Sequence, residues 1–362
     1  MTLWVCKTLL CMTVLATMLL TTLSLPPSAI ADSTDRWQTL IEAGIAARGQ
    51  ARYEDAERLF LSAGHEAERF EVDDVRMATT LNSLGLVYHA QGRYARAKSY
   101  YEQALTRWER TVGTEQANVS TVLNNLAEIY REEGNFEQAE TFYLRSLEIG
   151  ERVLGSGHPE LAIGYNNLAS LYRKQERLAQ AEARFHLALS ILDGAEGTAT
   201  VDPSLILNNL AGLYKEKGLY VYAEPLYRRA LALRLERFGT RHPAVAICLN
   251  NLANLYHAQG LTELADQRYR EALAMSEAAS GPDAALTGTV LGNWALLAHE
   301  RGFREEAKLR YERALVTQQQ TLGRDHPMLA VLLDRYAGLL RELGRSAEAR
   351  LVTSRAAAIR AR

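Results

Sequence analysis

The chain has few cysteines and few prolines, and each scarcity excludes a class of structure. Among 362 residues there are three cysteines and eight prolines. Cys6, Cys11 and Cys248 cannot build the disulfide framework of a small secreted domain, and Cys248 is expected to be a small buried residue of a helix. With so few prolines, long stretches can be uninterrupted helix. A net charge of −2 gives no general electrostatic reason to bind nucleic acid.

The sequence also lacks the short patterns of known catalytic and metal sites. It contains no glycine-rich phosphate loop, no Gly-x-Ser-x-Gly elbow, no Cys-x-x-Cys and no His-Glu-x-x-His. Neighbouring carboxylates such as Glu132 and Glu133 point apart on a helix, so they make no acid/base pair. We therefore predict that the chain is not an enzyme and that it carries no cofactor and no metal.

The N-terminus is typical of an export signal. Lys7 precedes an uncharged run at 8–25, which Pro26-Pro27 ends, and Ala29-Ile30-Ala31 supplies the small-x-small pattern of a cleavage site. We predict a signal peptide at 1–31, a short linker at 32–36 and a periplasmic or extracellular protein with no stable membrane insertion. The alternative is an uncleaved anchor formed by 8–25, which is just long enough to span a membrane. Cleavage is favoured because the proline break and the cleavage pattern occur together.

The rest of the chain is an internal repeat. The pair Asn-Asn recurs at 124–125, 166–167, 208–209 and 250–251, in steps of 42 residues, and tyrosines and glycines follow the same step. Eight copies are predicted, at 37–77, 78–119, 120–161, 162–203, 204–245, 246–287, 288–329 and 330–362.

Within each copy the pattern predicts a helix, a turn and a second helix. Leu123, Leu126, Ala127 and Tyr130 lie at i, i+3, i+4 and i+7, which is one face of a helix. Gly134 suits the left-handed residue that ends a helix. One position of the second helix is alanine in every copy: Ala56, Ala97, Ala139, Ala181, Ala223, Ala265, Ala307 and Ala349. A position that stays so small indicates a close approach of two helices, and the whole pattern predicts an all-α fold.

The loops between copies end in proline, as in the loop 154–159. Proline fits the first turn of the following helix, and Asp202 is expected to cap the helix that begins at Pro203. The histidines that precede the other loop prolines are His158, His242 and His326. These imidazoles are expected to be turn residues, because they recur about 84 residues apart and so cannot converge on a metal.

Several motifs resemble the 42-residue tetratricopeptide repeats of kinesin light chain. They are Leu-Asn-Asn-Leu-Ala-x-Leu-Tyr at 207–214 and 249–256, Gly-x-x-x-x-Ala-Glu-x-x-Tyr at 218–227, and Leu-Gly-x-x-His-Pro at 322–327. The chain departs from the pattern at Glu176, Ala298 and Thr353. The resemblance implies a right-handed α-solenoid of about eight repeats, whose first helices line a concave groove that binds a peptide or a partner protein.

Two columns of side chains are expected to face that groove. The first is an asparagine ladder: Asn82, Asn124, Asn125, Asn166, Asn167, Asn208, Asn209, Asn250, Asn251 and Asn293. An amide offers donors and an acceptor that suit a peptide backbone, and the resemblance implies that these residues grip the ligand. Equally, the amides could bond between helices and hold the repeats in register.

The second column is basic: His89, Arg131, Arg173, Lys215, His257 and His299, with Arg48 and Arg341 at equivalent positions. Such a stripe predicts a preference for an acidic peptide or for a free C-terminal carboxylate. The alternative is an ordinary solvated face, in which neighbours such as Glu132 and Glu216 balance the charge.

Three functions remain open from the sequence. The favoured one is a non-catalytic protein–protein interaction scaffold or adaptor that works outside the cytoplasm. The second is a structural spacer of an envelope assembly without a groove ligand. An enzyme is the least favoured, and nucleic acid is not expected as a partner.

Overall fold

A computed structural model describes residues 27–50, 52–71, 74–194 and 201–361 of the chain, with side chains from residue 33 onward. These residues form sixteen α-helices and no strand, which confirms the all-α solenoid of paired helices. Most of the predicted signal peptide, residues 1–26, lies outside the described residues.

The helices follow one another in pairs, with the odd-numbered helix first in each pair. In chain order they are α1 Pro27–Gly49, α2 Tyr53–Ala67, α3 Val75–Ala90, α4 Tyr94–Thr111, α5 Ala117–Glu132, α6 Phe136–Leu154, α7 Leu161–Lys174, α8 Leu178–Gly194, α9 Pro203–Glu216, α10 Tyr220–Phe238, α11 Pro243–Ala258, α12 Thr262–Ser280, α13 Ala285–Glu300, α14 Arg304–Leu322, α15 Met328–Glu342 and α16 Ser346–Arg360.

The chain divides into two compact units. The first consists of residues up to 90 together with 95–113, so it holds α1–α3 and nearly all of α4. The second consists of 91–94 together with the chain from 114 onward, so it holds the six pairs α5–α16. In the second unit every helix packs on its chain neighbours, and each first helix also contacts the first helix of the next pair. The odd-numbered helices therefore share one surface of this unit, which we call its inner face.

Helix α1 begins earlier than the repeat pattern suggested. It starts at Pro27, so residues 32–36 are helical rather than a linker. Proline is well suited to the first turn of a helix, and no helix breaker follows it before Gly44. The Trp37 indole donates to the Thr80 hydroxyl at 3.0 Å and fixes α1 against α3. Within the described residues, no helix combines the length and the apolar character that a membrane span requires.

The turn inside each pair ends the first helix with a left-handed residue. Gly134 has φ of 78°, and glycine holds this conformation in most pairs. Glu176 takes the place of glycine in the fourth pair and has φ of 59°, the one positive φ of a non-glycine residue in the described ranges. The glutamate that interrupts the glycine series therefore keeps the same backbone turn.

The repeated alanine of the second helix is buried in every pair, in agreement with its predicted place at a helix contact. Seven of the eight are 0% exposed and Ala349 is 2% exposed. The aromatic residue four positions later is buried beneath them in most pairs, as Tyr143 and Phe185 show. Cys248 is also fully buried and free, which confirms its interpretation as a packing residue.

Caps at the start of the first helices agree with the sequence at two pairs. The Asp202 carboxylate accepts from the Ser204 amide at 2.9 Å, and Pro203 begins α9. Pro243 begins α11 in the same way, and the His242 imidazole accepts from the Ala244 amide at 3.2 Å.

At two other pairs the helix begins later than predicted. Pro159 precedes α7, which starts at Leu161, and Pro327 precedes α15. Here too an imidazole accepts a hydrogen bond from the backbone amide two residues later. The Glu160 amide donates to His158 at 3.3 Å, and the Met328 amide donates to His326 at 3.3 Å. The bond closes a turn around the proline in all three loops, whether the helix begins at the proline or after it. The histidines are turn residues, as expected.

Neighbouring pairs are also joined away from the inner face. A first-helix tyrosine donates to a glutamate on the second helix of the preceding pair, as Tyr214 does to Glu182 at 2.8 Å. The equivalent bonds are Tyr88 to Glu57 at 2.6 Å, Tyr172 to Glu140 at 3.0 Å and Tyr256 to Glu224 at 2.9 Å. Because these bonds cross between repeats, they stabilise the stacking rather than the single pair.

Acid should weaken one of these junctions in a predictable direction. The Lys217 ammonium bonds Glu182 at 2.6 Å and, with Tyr214, holds the pKa of that carboxyl below its usual range. A depressed carboxyl pKa contributes stability above the unfolded value of about 4.3, and this contribution is lost as the pH falls through the folded pKa. We therefore expect Glu182→Gln to lower the urea midpoint at pH 7, and to lower it by less near pH 3. Glu236→Gln, an exposed change on α10, should leave the midpoint unchanged at both values, and equal midpoints for wild type and Glu182→Gln at pH 7 would contradict the assignment.

Candidate functional site

The asparagine ladder exists as a chain of hydrogen bonds across the second unit. In each step the second asparagine of one pair donates its amide to the first asparagine of the pair before it. The four bonds are Asn167 to Asn124 at 3.2 Å, Asn209 to Asn166 at 2.8 Å, Asn251 to Asn208 at 3.2 Å and Asn293 to Asn250 at 3.1 Å. Arg335 continues the series by donating to Asn293 at 3.3 Å.

These bonds give the ladder a structural role. Asn166, Asn208 and Asn250 are buried, and the Asn208 amide also donates to the Ser204 carbonyl at 2.8 Å. A buried amide without partners would be costly, so each bond fixes the register of two first helices. The half-buried members are Asn82 on α3 in the first unit and, in the second, Asn124, Asn125, Asn167, Asn209, Asn251 and Asn293.

The basic column is interleaved with acids that the sequence pattern had not brought out as a column. His257 bonds Glu300 at 2.7 Å and His299 bonds Glu342 at 3.1 Å, each across 43 residues. The acid therefore stands one position after the basic residue of the next pair. These acids could have been found in the sequence at the position directly after the basic residue of a repeat, where Glu132, Glu216, Glu300 and Glu342 stand.

Arg131 and Arg173 of the column are also paired. Arg131 contacts Glu128 at 2.8 Å and Glu132 at 2.6 Å. Arg173 lies 3.7 Å from Glu216 and donates to the backbone carbonyl of Asn209 at 3.3 Å. These contacts favour the alternative that the sequence left open, a face on which acidic neighbours balance the basic charge. His89, the remaining histidine of the column, lies half-buried on α3 in the first unit.

Lys215 differs from its neighbours in the column. Among the described residues it has no carboxylate at ion-pair distance, and burial lowers the pKa of its ammonium group. It lines a cavity of about 420 Å³ with His257, Asn293, Arg335 and Glu300. Three predicted site residues, Lys215, His257 and Asn293, therefore meet in one polar cavity of the inner face.

An apolar row lies beside the asparagine ladder, and the sequence interpretation missed it. Ile163 on α7, Leu205 on α9 and Ile247 on α11 are 42%, 46% and 39% exposed. Each stands three residues before the first asparagine of its pair, so the same 42-residue step could have found them. Because i and i+3 share a helix face, the row and the ladder lie on the same inner face.

A cavity of the inner face adjoins this row. It has a volume of about 610 Å³ and lies where α5, α7 and α9 meet the ends of α6 and α10. Ile163, Leu205, Leu161, Leu147, Asn124 and Arg234 are among the residues that line it. Its walls are mostly apolar, and its volume falls in the range of known ligand sites, about 300–1,000 Å³.

The described residues show no arrangement that suggests catalysis. No group of three or more His, Cys, Asp or Glu side chains in the described ranges could hold a metal ion. Burial raises the pKa of the Cys248 thiol, and a buried, protonated thiol is a poor nucleophile. What the inner face offers is apolar contact and amide groups.

Comparison with known proteins identifies the family. The tetratricopeptide repeat profile matches residues 76–149, 118–193, 202–278 and 286–362, which is more than half of the chain. The chain belongs to the tetratricopeptide repeat family. Repeats of this family generally mediate protein–protein interaction and typically lack catalytic activity. No curated protein matches the chain significantly.

Several solved structures are similar to the chain. A Rap protein complexed with competence and sporulation factor matches with a TM-score of 0.59 at 14% identity, over 92% of this chain and 98% of that one. A tetratricopeptide repeat protein from Parabacteroides merdae matches with a TM-score of 0.52 at 20% identity, over 83% and 99%. A candidate kinesin light chain from Podosopora anserina with nearly identical TPR-like repeats matches with a TM-score of 0.46 at 19% identity, over 56% and 97%.

Proposed function

We propose that this tetratricopeptide repeat protein is a non-catalytic adaptor that binds an extended peptide, or a segment of a partner protein, along the inner face of its second unit. The observation that carries the proposal is the row of exposed apolar side chains at Ile163, Leu205 and Ile247 beside the 610 Å³ cavity. Apolar side chains this exposed and regularly spaced gain from being covered.

The geometry of the row suits an extended chain. Successive members stand on successive first helices, which contact one another across the inner face. Helices in such contact lie about 8–10 Å apart, and an extended chain advances about 3.3 Å per residue, so every second or third ligand residue could reach a member of the row. The second asparagine of each pair is only half-buried and lies beside the row, where its amide could also meet a peptide backbone.

Crosslinking from chosen positions tests this proposal. A benzophenone photocrosslinker in place of Leu205 reports on the inner face, and the same group in place of Leu309 reports on the outward side of second helix α14, where Leu309 is 66% exposed. The chain from residue 32 onward is incubated with extract of its source and irradiated. We expect a specific adduct from position 205 and none from position 309. An adduct from position 309 alone would contradict the proposal.

The polar cavity supports a finer preference for an acidic side chain. Lys215 has no carboxylate partner there in the described part of the chain, and Arg335 adds a second cation against one acid, Glu300. The preference therefore rests on this cavity rather than on a continuous basic stripe.

Charge reversal at the polar cavity should weaken an acidic ligand. We expect Lys215→Glu to lower the affinity for the crosslinked partner by about tenfold, equivalent to about 1.4 kcal/mol, and to reduce the loss of affinity with salt. Arg241→Glu makes the same change in charge at an exposed position between α10 and α11 and serves as the control. Equal losses in the two variants would attribute the effect to overall charge and not to the cavity. Titration calorimetry at low and high salt measures both quantities.

The asparagine ladder supports a second candidate, a structural spacer in an envelope assembly. Its amides already bond one another and hold the repeats in register, so they do not need a ligand. A spacer would give no adduct from position 205 and would keep its partners when the inner face is changed.

Export is part of the proposal, because the cleavage pattern Ala29-Ile30-Ala31 follows a proline break. We expect the protein purified from outside the cytoplasm to begin at Asp32. Intact-mass analysis measures this directly, and a membrane-bound species that retains Met1 would indicate the anchor at 8–25 instead.

A further inference from the structure

Arg234 is a buried cation in a place where the other repeats have none. It lies near the end of α10 and is 8% exposed. Steps of 42 residues from it reach the uncharged Leu192, Ser276 and Gln318 and then Arg360, which is exposed and bonds Asp334. Within the described residues, a buried arginine at this position is therefore a feature of one repeat and not of the fold.

In the described part of the chain, the hydrogen bonds of Arg234 go to neutral acceptors. Its Nε donates to the Ser204 hydroxyl at 2.7 Å and one Nη donates to the Ala244 carbonyl at 3.0 Å. Among the described residues, no carboxylate lies at ion-pair distance from the guanidinium group. Burying a cation in this way is costly unless an anion joins it, because neutral acceptors replace only part of its hydration.

Arg234 lines the 610 Å³ cavity, so its charge is accessible to a ligand there. The other charged residues of the cavity wall are Asp202 and Glu160. The Asp202 carboxylate caps α9 by accepting from the Ser204 amide at 2.9 Å, and Glu160 is exposed to solvent. The remaining walls near them are mostly apolar, as at Leu161 and Leu205.

We propose that Arg234 binds the C-terminal carboxylate of a peptide whose last residues are apolar and pack between the first helices of this cavity. The inference rests on the proposed peptide-binding function and specifies which end of the peptide enters. A guanidinium group binds a carboxylate through charge-assisted hydrogen bonds, and the site supplies that group next to an apolar wall. The Asn124 side chain on the same wall can bond the backbone that leads to the terminus.

Two matched peptide pools test the proposal. Both contain hexapeptides that are random at four positions and end in two residues drawn from Leu, Ile, Val and Phe. One pool has free C-terminal carboxylates and the other has C-terminal amides. Each is passed over immobilised wild-type chain, Arg234→Gln and Arg237→Gln, and bound peptides are quantified by mass spectrometry. Arg237 is an exposed arginine of the same helix and controls for the change in charge.

Glutamine is the matched substitution because Gln318, at the equivalent position two repeats later, is 5% exposed and donates to Thr289. Arg234→Met is a second uncharged variant, and the urea midpoint shows whether each is folded. We expect wild type and Arg237→Gln to retain the free-acid pool about tenfold more than the amide pool. Both Arg234 variants should retain the two pools equally.

Three results would overturn the inference: equal retention of both pools by wild type, a preference that survives in folded Arg234 variants, or no retention of either pool. Octanoate is added as a competitor. If it displaces the bound pool at the concentration at which the peptides bind, the occupant is an alkyl carboxylate and the peptide assignment is wrong. The proposed function is tested separately, by crosslinking from position 205. A partner bound through an internal segment would still crosslink there, even if the carboxylate inference were wrong.

Discussion

Ala181→Phe should unfold at a clearly lower urea concentration than the wild-type chain. Ala181 is 0% exposed on α8, in the middle of the second unit, and belongs to the core that Tyr165, Ala169 and Phe185 share. A phenyl ring has no space there, and overpacking of this kind costs about 1–3 kcal/mol, sometimes more. Because each repeat of a solenoid is stabilised by its neighbours, the loss should extend to the pairs on either side. Circular dichroism during urea titration measures the change in midpoint.

Lys174→Ala is the control, at an exposed position of the preceding helix. The Lys174 side chain is 43% exposed and lies 3.6 Å from Glu132, an arrangement that contributes little when solvated. We expect its midpoint to correspond to a change within about 0.5 kcal/mol. If both variants had the same midpoint, the assignment of the repeated alanine to the helix contact would be wrong.

The fold was predictable because it depends on side chains that every repeat must keep. The alanine at the helix contact and the left-handed turn residue recur at a fixed step, since each pair packs on its neighbours in the same way. Even the exception at Glu176 was visible as a break in the glycine series. The start of α1 was not predictable from the repeat, because residues 27–36 precede the copies and only local helix preference places them.

The contacts of the inner face depend on offsets between repeats. The sequence showed the asparagines and the basic residues as two columns with an open role. Which residue meets which depends on how far one helix is displaced along the next, and the structure gives an offset of 43 residues, one more than the repeat. Because of this one-residue difference, Asn209 bonds Asn166 and His257 bonds Glu300. Residues of the predicted basic stripe are therefore paired with acids.

The pair Ile163→Glu/Leu205→Glu should reduce affinity for the partner by about 100-fold or more. The two side chains are 42% and 46% exposed, so a ligand that covers them still gains apolar burial from each. At about 25 cal/mol per Å² of buried apolar surface, losing the apolar contact costs about 1 kcal/mol at each site. Placing two carboxylates against an apolar ligand adds a desolvation cost of at least about 1 kcal/mol. A total near 3 kcal/mol corresponds to about 100-fold in the dissociation constant.

The control double variant is Leu309→Glu/Val316→Glu on α14. These residues are 66% and 54% exposed, so the control adds the same charge to the same unit at a second helix instead of the inner face. Both double variants should keep the wild-type urea midpoint, because the substituted side chains contact solvent in the free protein. Calorimetry with the crosslinked partner then separates the two surfaces. If the folded inner-face variant bound with wild-type affinity, the apolar row would not be the binding surface, and the spacer would be the better account of the chain.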